Sequence, residues 1–253
     1  MRFNAFHQPI GNIYVNFSEG SHCNIKVHTG ESRKDELFLT SLYKEVEKMA
    51  RSTLIKDITT NKISLSSGLE RLYIISYGMK NESLMKWIKC ELNGYEKDDN
   101  LPTYRIVRNM NIIYSGLNNN FQMKNTPLPW NYIPEEYRET FFTIYIREGI
   151  KIIDEISNKE KTELSIDLTT FAYEIYKRSS IQCYSIKNII NISHYKSVVE
   201  IVRFNLIDIL LKLESNFGNI DDFDINYEDI PIEKIDQVNT DINKLFSGGE
   251  VVD

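Results

Sequence analysis

The sequence predicts a mainly helical α+β fold, a helical domain with an N-terminal β-hairpin and a small second hairpin. Three observations predict it. Apolar residues recur at steps of three and four through much of the chain after Leu37, the period of an amphipathic helix. Between Gly11 and Gly30 the period is two on both sides of Ser18-Glu19-Gly20-Ser21, as in a hairpin. The 253 residues, 42% hydrophobic and 26% charged, describe a globular chain long enough to bury a sizeable core without metal or crosslinks.

The hairpin comes first. Ile13, Val15 and Phe17 alternate with polar neighbours and Tyr14, and Cys23, Ile25 and Val27 alternate after the turn. A two-stranded hairpin is marginal alone in water. Ile13, Val15, Phe17, Ile25 and Val27 are therefore candidates for docking or assembly, on the body, on a second subunit or on a partner. A helix follows over Leu37 to Ala50, with Leu39, Leu42, Tyr43, Val46 and Met49 on one face. A second starts at Ser64 or Ser66, either able to cap it, and ends at Gly78; a third runs from Glu82 to Asn93-Gly94. Short turns make these antiparallel neighbours.

Beyond Gly94, Leu101-Pro102 forbids helix, and Tyr104 to Val107 with Ile112 to Tyr114 suggest the small hairpin. Residues 116–133, with Pro127, Pro129 and many Asn, read as a surface loop. Pro134-Glu135-Glu136 reads as the start of a helix carrying Phe141, Tyr145, Ile152, Ile153 and Ile156. Asp167 to Lys177 reads as helix and Ile186 to Ile190 as strand. The clearest helix starts at a Ser193 cap and runs through Tyr195, Val198, Val202, Leu206, Ile209 and Leu213 to Gly218. The expected organisation is a hairpin extension over 1–35, a helical domain over 36–220 and an acidic tail over 221–253.

Charge and motif content exclude several function classes. The net charge is -6, but ten acids against Lys234 and Lys244 lie from Asp221 onward, so the body before them is nearly neutral. That gives no strong nucleic-acid signal. The tail is expected to be mobile, unless Ile230 to Leu245 forms an amphipathic segment that docks. Three cysteines at wide spacing, no C-x-x-C pair and no secretory signal point to the cytoplasm. No uncharged apolar stretch reaches the roughly 20 residues of a membrane span. His22 and His28 lie too far apart along one strand to share an ion, so no metal and no cofactor is expected. Nucleophile-elbow, phosphate-loop, dinucleotide and zinc-protease signatures are absent.

One constellation stands out: W-x-x-x-E-L-N-G-Y over Trp87, Glu91, Leu92, Asn93, Gly94 and Tyr95, then L-P-x-Y-R over Leu101, Pro102, Tyr104 and Arg105. Trp87 and Glu91, four apart, share a helix face. Asn93-Gly94 ends that helix, and Pro102 and Tyr104 steer the returning chain so that Arg105 meets Glu91. The favoured reading is a structural corner, a guanidinium paired with a carboxylate under an aromatic lid. The other is a polar pocket with a catalytic carboxylate.

These motifs, with S-L-Y-K-E-V at Ser41 to Val46 and V-R-F-N-L-I-D-I-L-L-K-L-E at Val202 to Glu214, resemble the AbiTii family of bacterial abortive-infection proteins over about residues 36–220. The resemblance implies antiphage defence, in which an infected cell stops growing or dies before phage is released, and it brings no catalytic residue. The hairpin precedes the family-like part. The leading expectation is a non-enzymatic sensing, assembly or toxic binding module, a homo-oligomer or the companion of a defence-system partner. The alternatives are an unrecognised enzyme acting on nucleic acid or nucleotide through a Glu91/Arg105 pocket, and a docking subunit for a separate effector.

Overall fold

The computed structural model describes residues 13–16, 24–27, 52–108, 111–160, 162–221, 225 and 227–246. The chain divides into two compact units, Met1–Ala50 and Arg51–Asp253. In the first, β1 (Ile13–Asn16) pairs antiparallel with β2 (Asn24–Val27), Ile13 opposite Val27 and Val15 opposite Ile25. The alternation read from the sequence is thus a hairpin. Phe17 and the helix expected over 37–50 lie outside the described residues.

The second unit starts with α1 (Thr53–Thr59), α2 (Leu65–Gly78) and α3 (Glu82–Asn93). It continues through β3 (Ile106–Arg108), β4 (Ile112–Asn118), β5 (Phe121–Pro127), α4 (Arg138–Phe142), β6 (Thr143–Tyr145) and α5 (Ile150–Ser157). Then come β7 (Glu163–Asp167), α6 (Ala172–Ser179), β8 (Gln182–Asn191), α7 (Ser193–Phe217) and α8 (Ile232–Phe246). The class is α+β and mainly helical, as expected.

Helix ends follow local chemistry. Ser64 caps α2 by accepting from the Ser67 N–H at 3.1 Å, and Asn81 caps α3 by accepting from Leu84 at 3.0 Å. The apolar faces of α2, α3 and α7 meet in the first core, where Leu69, Leu72, Leu84, Ile88, Val202, Leu206, Ile209 and Leu213 are fully buried. Ser193 is the first helical residue of α7 rather than its cap; its N–H donates to Asn191 Oδ1 at 2.8 Å.

No side chain within α1 caps its start. A carboxylate distant in sequence does so instead: Asp221 accepts from the Thr53 and Leu54 N–H groups at 2.8 and 2.9 Å. Burial pushes the Asp221 carboxyl up, but the bonds from Leu54 and Thr53 outweigh it and hold the group below its ordinary range. A depressed folded pKa gives stability that is present above the unfolded value and lost as pH falls through the folded one. Asp221→Ala should therefore cost about 1 kcal/mol near pH 7, with the difference fading as acid protonates Asp221. Urea titrations of both proteins at stepped pH check this.

The sheet region departs from the sequence reading. β3 does not fold back on β4; it pairs with β6, Val107 opposite Ile144. The second hairpin is β4–β5: the strand expected at Ile112 to Tyr114 runs on into the segment that read as a loop and turns at Asn119, whose positive φ of 54° suits asparagine. The full sheet has the order β5-β4-β8-β7, all antiparallel, and β7 was not anticipated. One face of this sheet, with Ile112, Tyr114, Cys183 and Ile186, packs on Ile133, Phe141, Leu168 and Ile175 as a second core.

The single helix expected after Pro134 is instead a 3-10 turn, α4, strand β6 and α5. Its apolar residues fit one helical period by coincidence, for Phe141 belongs to the second core and Ile153 to the first. Thr143-Ile144-Tyr145, β-branched and aromatic, takes the strand that β3 requires. The helix expected from Asp167 begins later, at Ala172, after a 3-10 turn over Thr169–Phe171.

Past Asp221 the expected mobile tail gives way to the docked alternative. Tyr227 donates its hydroxyl to the Ile75 carbonyl at 2.9 Å, and α8 buries Val238 and Ile242 in the first core.

Candidate functional site

The motif residues converge where α3 ends. Trp87 and Glu91 lie one turn apart on the buried side of α3. Gly94 stops the helix at φ +97°, a backbone that side chains rarely adopt, while its N–H donates to the Cys90 carbonyl at 2.9 Å. The Tyr95 N–H then donates to the Arg147 carbonyl at 2.8 Å. A Cβ on Gly94 would stand 2.7 Å from that carbonyl oxygen, and one on Gly149 would stand 2.4 Å from the Leu92 carbonyl. Two backbones thus touch here because both positions are glycine.

After Leu101, which is buried, Pro102 opens a 3-10 turn over Thr103–Arg105, closed by the Arg105 N–H on the Pro102 carbonyl at 2.9 Å. The turn aims Arg105 inward. Its Nη2 reaches Glu91 Oε2 at 2.5 Å and its Nε reaches Oε1 at 3.2 Å, a two-point pairing. Its Nη1 donates to the carbonyls of Ile146 and Glu148 at 3.0 and 2.8 Å. Both Glu91 and Arg105 are 0% exposed.

Two phenols complete the carboxylate's shell. Tyr95 and Tyr104 each donate a hydroxyl to Glu91 Oε1 at 2.7 Å, and the Trp87 indole donates to the Tyr104 oxygen at 3.1 Å. The Arg105 guanidinium lies 4.8 Å from the Tyr95 ring centre. Burial first, and then the negative Glu91, push both phenols far above the ordinary tyrosine range. Burial works against the Arg105 charge, but Glu91 outweighs it and raises its pKa. Both hydroxyls therefore stay donors and the guanidinium stays charged.

Trp87, Glu91, Gly94, Tyr95, Tyr104 and Arg105 are thus brought together. Leu92 packs partly on the first core, Pro102 is half-buried and Asn93 is exposed. Sequence reasoning did not reach the Ile146 and Glu148 carbonyls, Gly149 or Phe246, whose ring stacks on Trp87 at 5.2 Å. Gly149 before an apolar run was the available signal. Main-chain acceptors leave none. Ile13, Val15, Ile25 and Val27 occupy facing hairpin positions. Among the described residues no group of three or more His, Cys, Asp or Glu could hold a metal ion, and no helix is long and apolar enough to cross a membrane.

No curated protein and no solved structure matches the chain. The AbiTii family profile matches residues 52–236, a span that contains the whole Trp87 to Arg105 motif and α7. The chain therefore belongs to the AbiTii family of abortive-infection, antiphage defence proteins.

Proposed function

We propose that the chain defends against phage as a non-enzymatic module, binding a cellular or phage component and assembling through its N-terminal hairpin. The observation that carries this reading is the saturation of the chemically suggestive cluster around Glu91. Glu91 Oε1 already accepts from Tyr95, Tyr104 and Arg105, Oε2 accepts from Arg105, and both ionic side chains are fully buried. A general base or acid needs a lone pair or proton within reach of substrate; these are committed to the protein itself. Glu91 and Arg105 act as a brace that fixes the end of α3 against the Arg147–Gly149 segment.

Function is then carried by surfaces, and the hairpin is the first of them. Two strands alone do not hold together in water, and the residues at facing positions are Ile13 with Val27 and Val15 with Ile25. Replacing Val15 and Ile25 by lysine in the full chain should abolish phage protection and reduce particle mass, with the melting temperature of the rest preserved. Full protection with unchanged particle mass would refute the assembly reading.

A further inference from the structure

Asn93-Gly94 is the one Asn-Gly pair in the sequence, and it stands where α3 ends. Asn93 is the last helical residue and is exposed, so water reaches it. Glycine after asparagine removes the side chain that ordinarily shields a backbone nitrogen from its neighbour. The Gly94 nitrogen is then able to attack Asn93 Cγ. Its proton leaves with the side-chain nitrogen as ammonia, a cyclic imide closes, and water opens that imide to aspartate or isoaspartate.

The closed corner opposes the first step twice. Ring closure requires a ψ at Asn93 far from the helical value, and the helical backbone of α3 holds the Gly94 nitrogen away from Asn93 Cγ. The Gly94 N–H also donates to the Cys90 carbonyl at 2.9 Å, which keeps its proton from solvent base. The next residue is tied down as well. Tyr95 has its N–H on the Arg147 carbonyl at 2.8 Å and its hydroxyl on Glu91 Oε1 at 2.7 Å.

We propose that Asn93 is a deamidation site gated by the Glu91–Arg105 brace, and that its isoaspartyl product prevents the corner from closing again. Isoaspartate places an extra carbon in the main chain between residues 93 and 94. The corner has no room for it. A Cβ on Gly149 would lie 2.4 Å from the Leu92 carbonyl oxygen and 3.3 Å from the Asn93 carbonyl carbon, and one on Gly94 2.7 Å from the Arg147 carbonyl oxygen. Lengthening the chain there moves Tyr95 relative to α3, so its hydroxyl and its N–H cannot both keep their partners. Either product also adds a negative charge at the C-terminal end of a helix, where the dipole disfavours it. A single long opening is thereby made permanent. The reaction depends on the corner alone, not on how the chain assembles.

The full chain is incubated in native buffer and in denaturing guanidinium chloride at one pH and temperature. Deamidation of the peptide that holds Asn93 is followed by mass spectrometry, with isoaspartate scored by enzymatic methylation. Glu91→Gln should raise the rate in native buffer by roughly a hundred-fold, the gain in open population when one member of a buried ion pair is removed. The unsubstituted chain should react more slowly in buffer than in denaturant by a larger factor still. Equal rates in the two solvents, or a Glu91→Gln rate equal to that of the unsubstituted chain, overturn the gate. A second measurement does not require that variant to fold. The unsubstituted chain, aged in denaturant until Asn93 is converted and then returned to buffer, should melt about 10 °C below an Asn93→Gln chain treated identically. Coincident melting of the two overturns the claim that the product holds the corner open.

Discussion

Glu91→Gln should lower the melting temperature by about 10 °C. The substitution keeps the shape of the side chain and removes its charge, so Arg105 is left fully buried with carbonyls and phenols but no counterion. Removing one partner of a buried pair costs about 3–5 kcal/mol, because the remaining charge cannot return to water. For a unit of this size each kcal/mol moves the midpoint by about 2–4 °C. The glutamine amide also turns a donor toward the Arg105 N–H groups or the tyrosine hydroxyls, so one contact becomes donor against donor. Calorimetry on the purified full chain reads the shift. A change within about 1 °C would mean that the pair does not brace the fold.

Gly94→Ala should be nearly as damaging, by a different route. The backbone there, φ 97° and ψ 169°, lies in a region that is essentially glycine's own. The added methyl would also stand 2.7 Å from the Arg147 carbonyl, which is main chain and cannot rotate away. Strain and displacement together should cost about 3 kcal/mol. The expected signature includes loss of protection from hydrogen exchange at Tyr95, whose N–H depends on that carbonyl. Destabilisation with Tyr95 still protected would place the strain elsewhere.

These expectations concern a corner whose outline was legible in the sequence. The spacing of Trp87 and Glu91 sets them on one helix face, Asn93-Gly94 ends the helix, and Pro102 turns the chain so that Arg105 arrives at Glu91. Helices α2, α3 and α7 were equally legible, since each presents a sustained apolar stripe to one core. What the sequence hid were features settled by tertiary neighbours. The apolar residues from Phe141 to Ile156 satisfy a helical period, yet they serve two cores with a strand between. Strand β3 has several apolar stretches to choose from, and nothing local selects β6 over β4. The acidic composition after Asp221 favours a mobile tail, yet the amphipathic segment legible over Ile230 to Leu245 as the alternative is what forms α8, in which Val238, Ile242 and Phe246 are few but well placed. The start of α1 is satisfied by Asp221, far along the chain, so no local cap could announce it.

The fold and the defence assignment meet in a single question, whether Glu91 acts on a substrate or only on its own protein. Phage protection by Glu91→Gln, measured by plating efficiency at a temperature well below both melting points and at matched amounts of folded protein, answers it. A brace predicts protection equal to that of the unsubstituted chain under those conditions. Protection abolished while folded protein is matched would contradict the account and make Glu91 a reacting group.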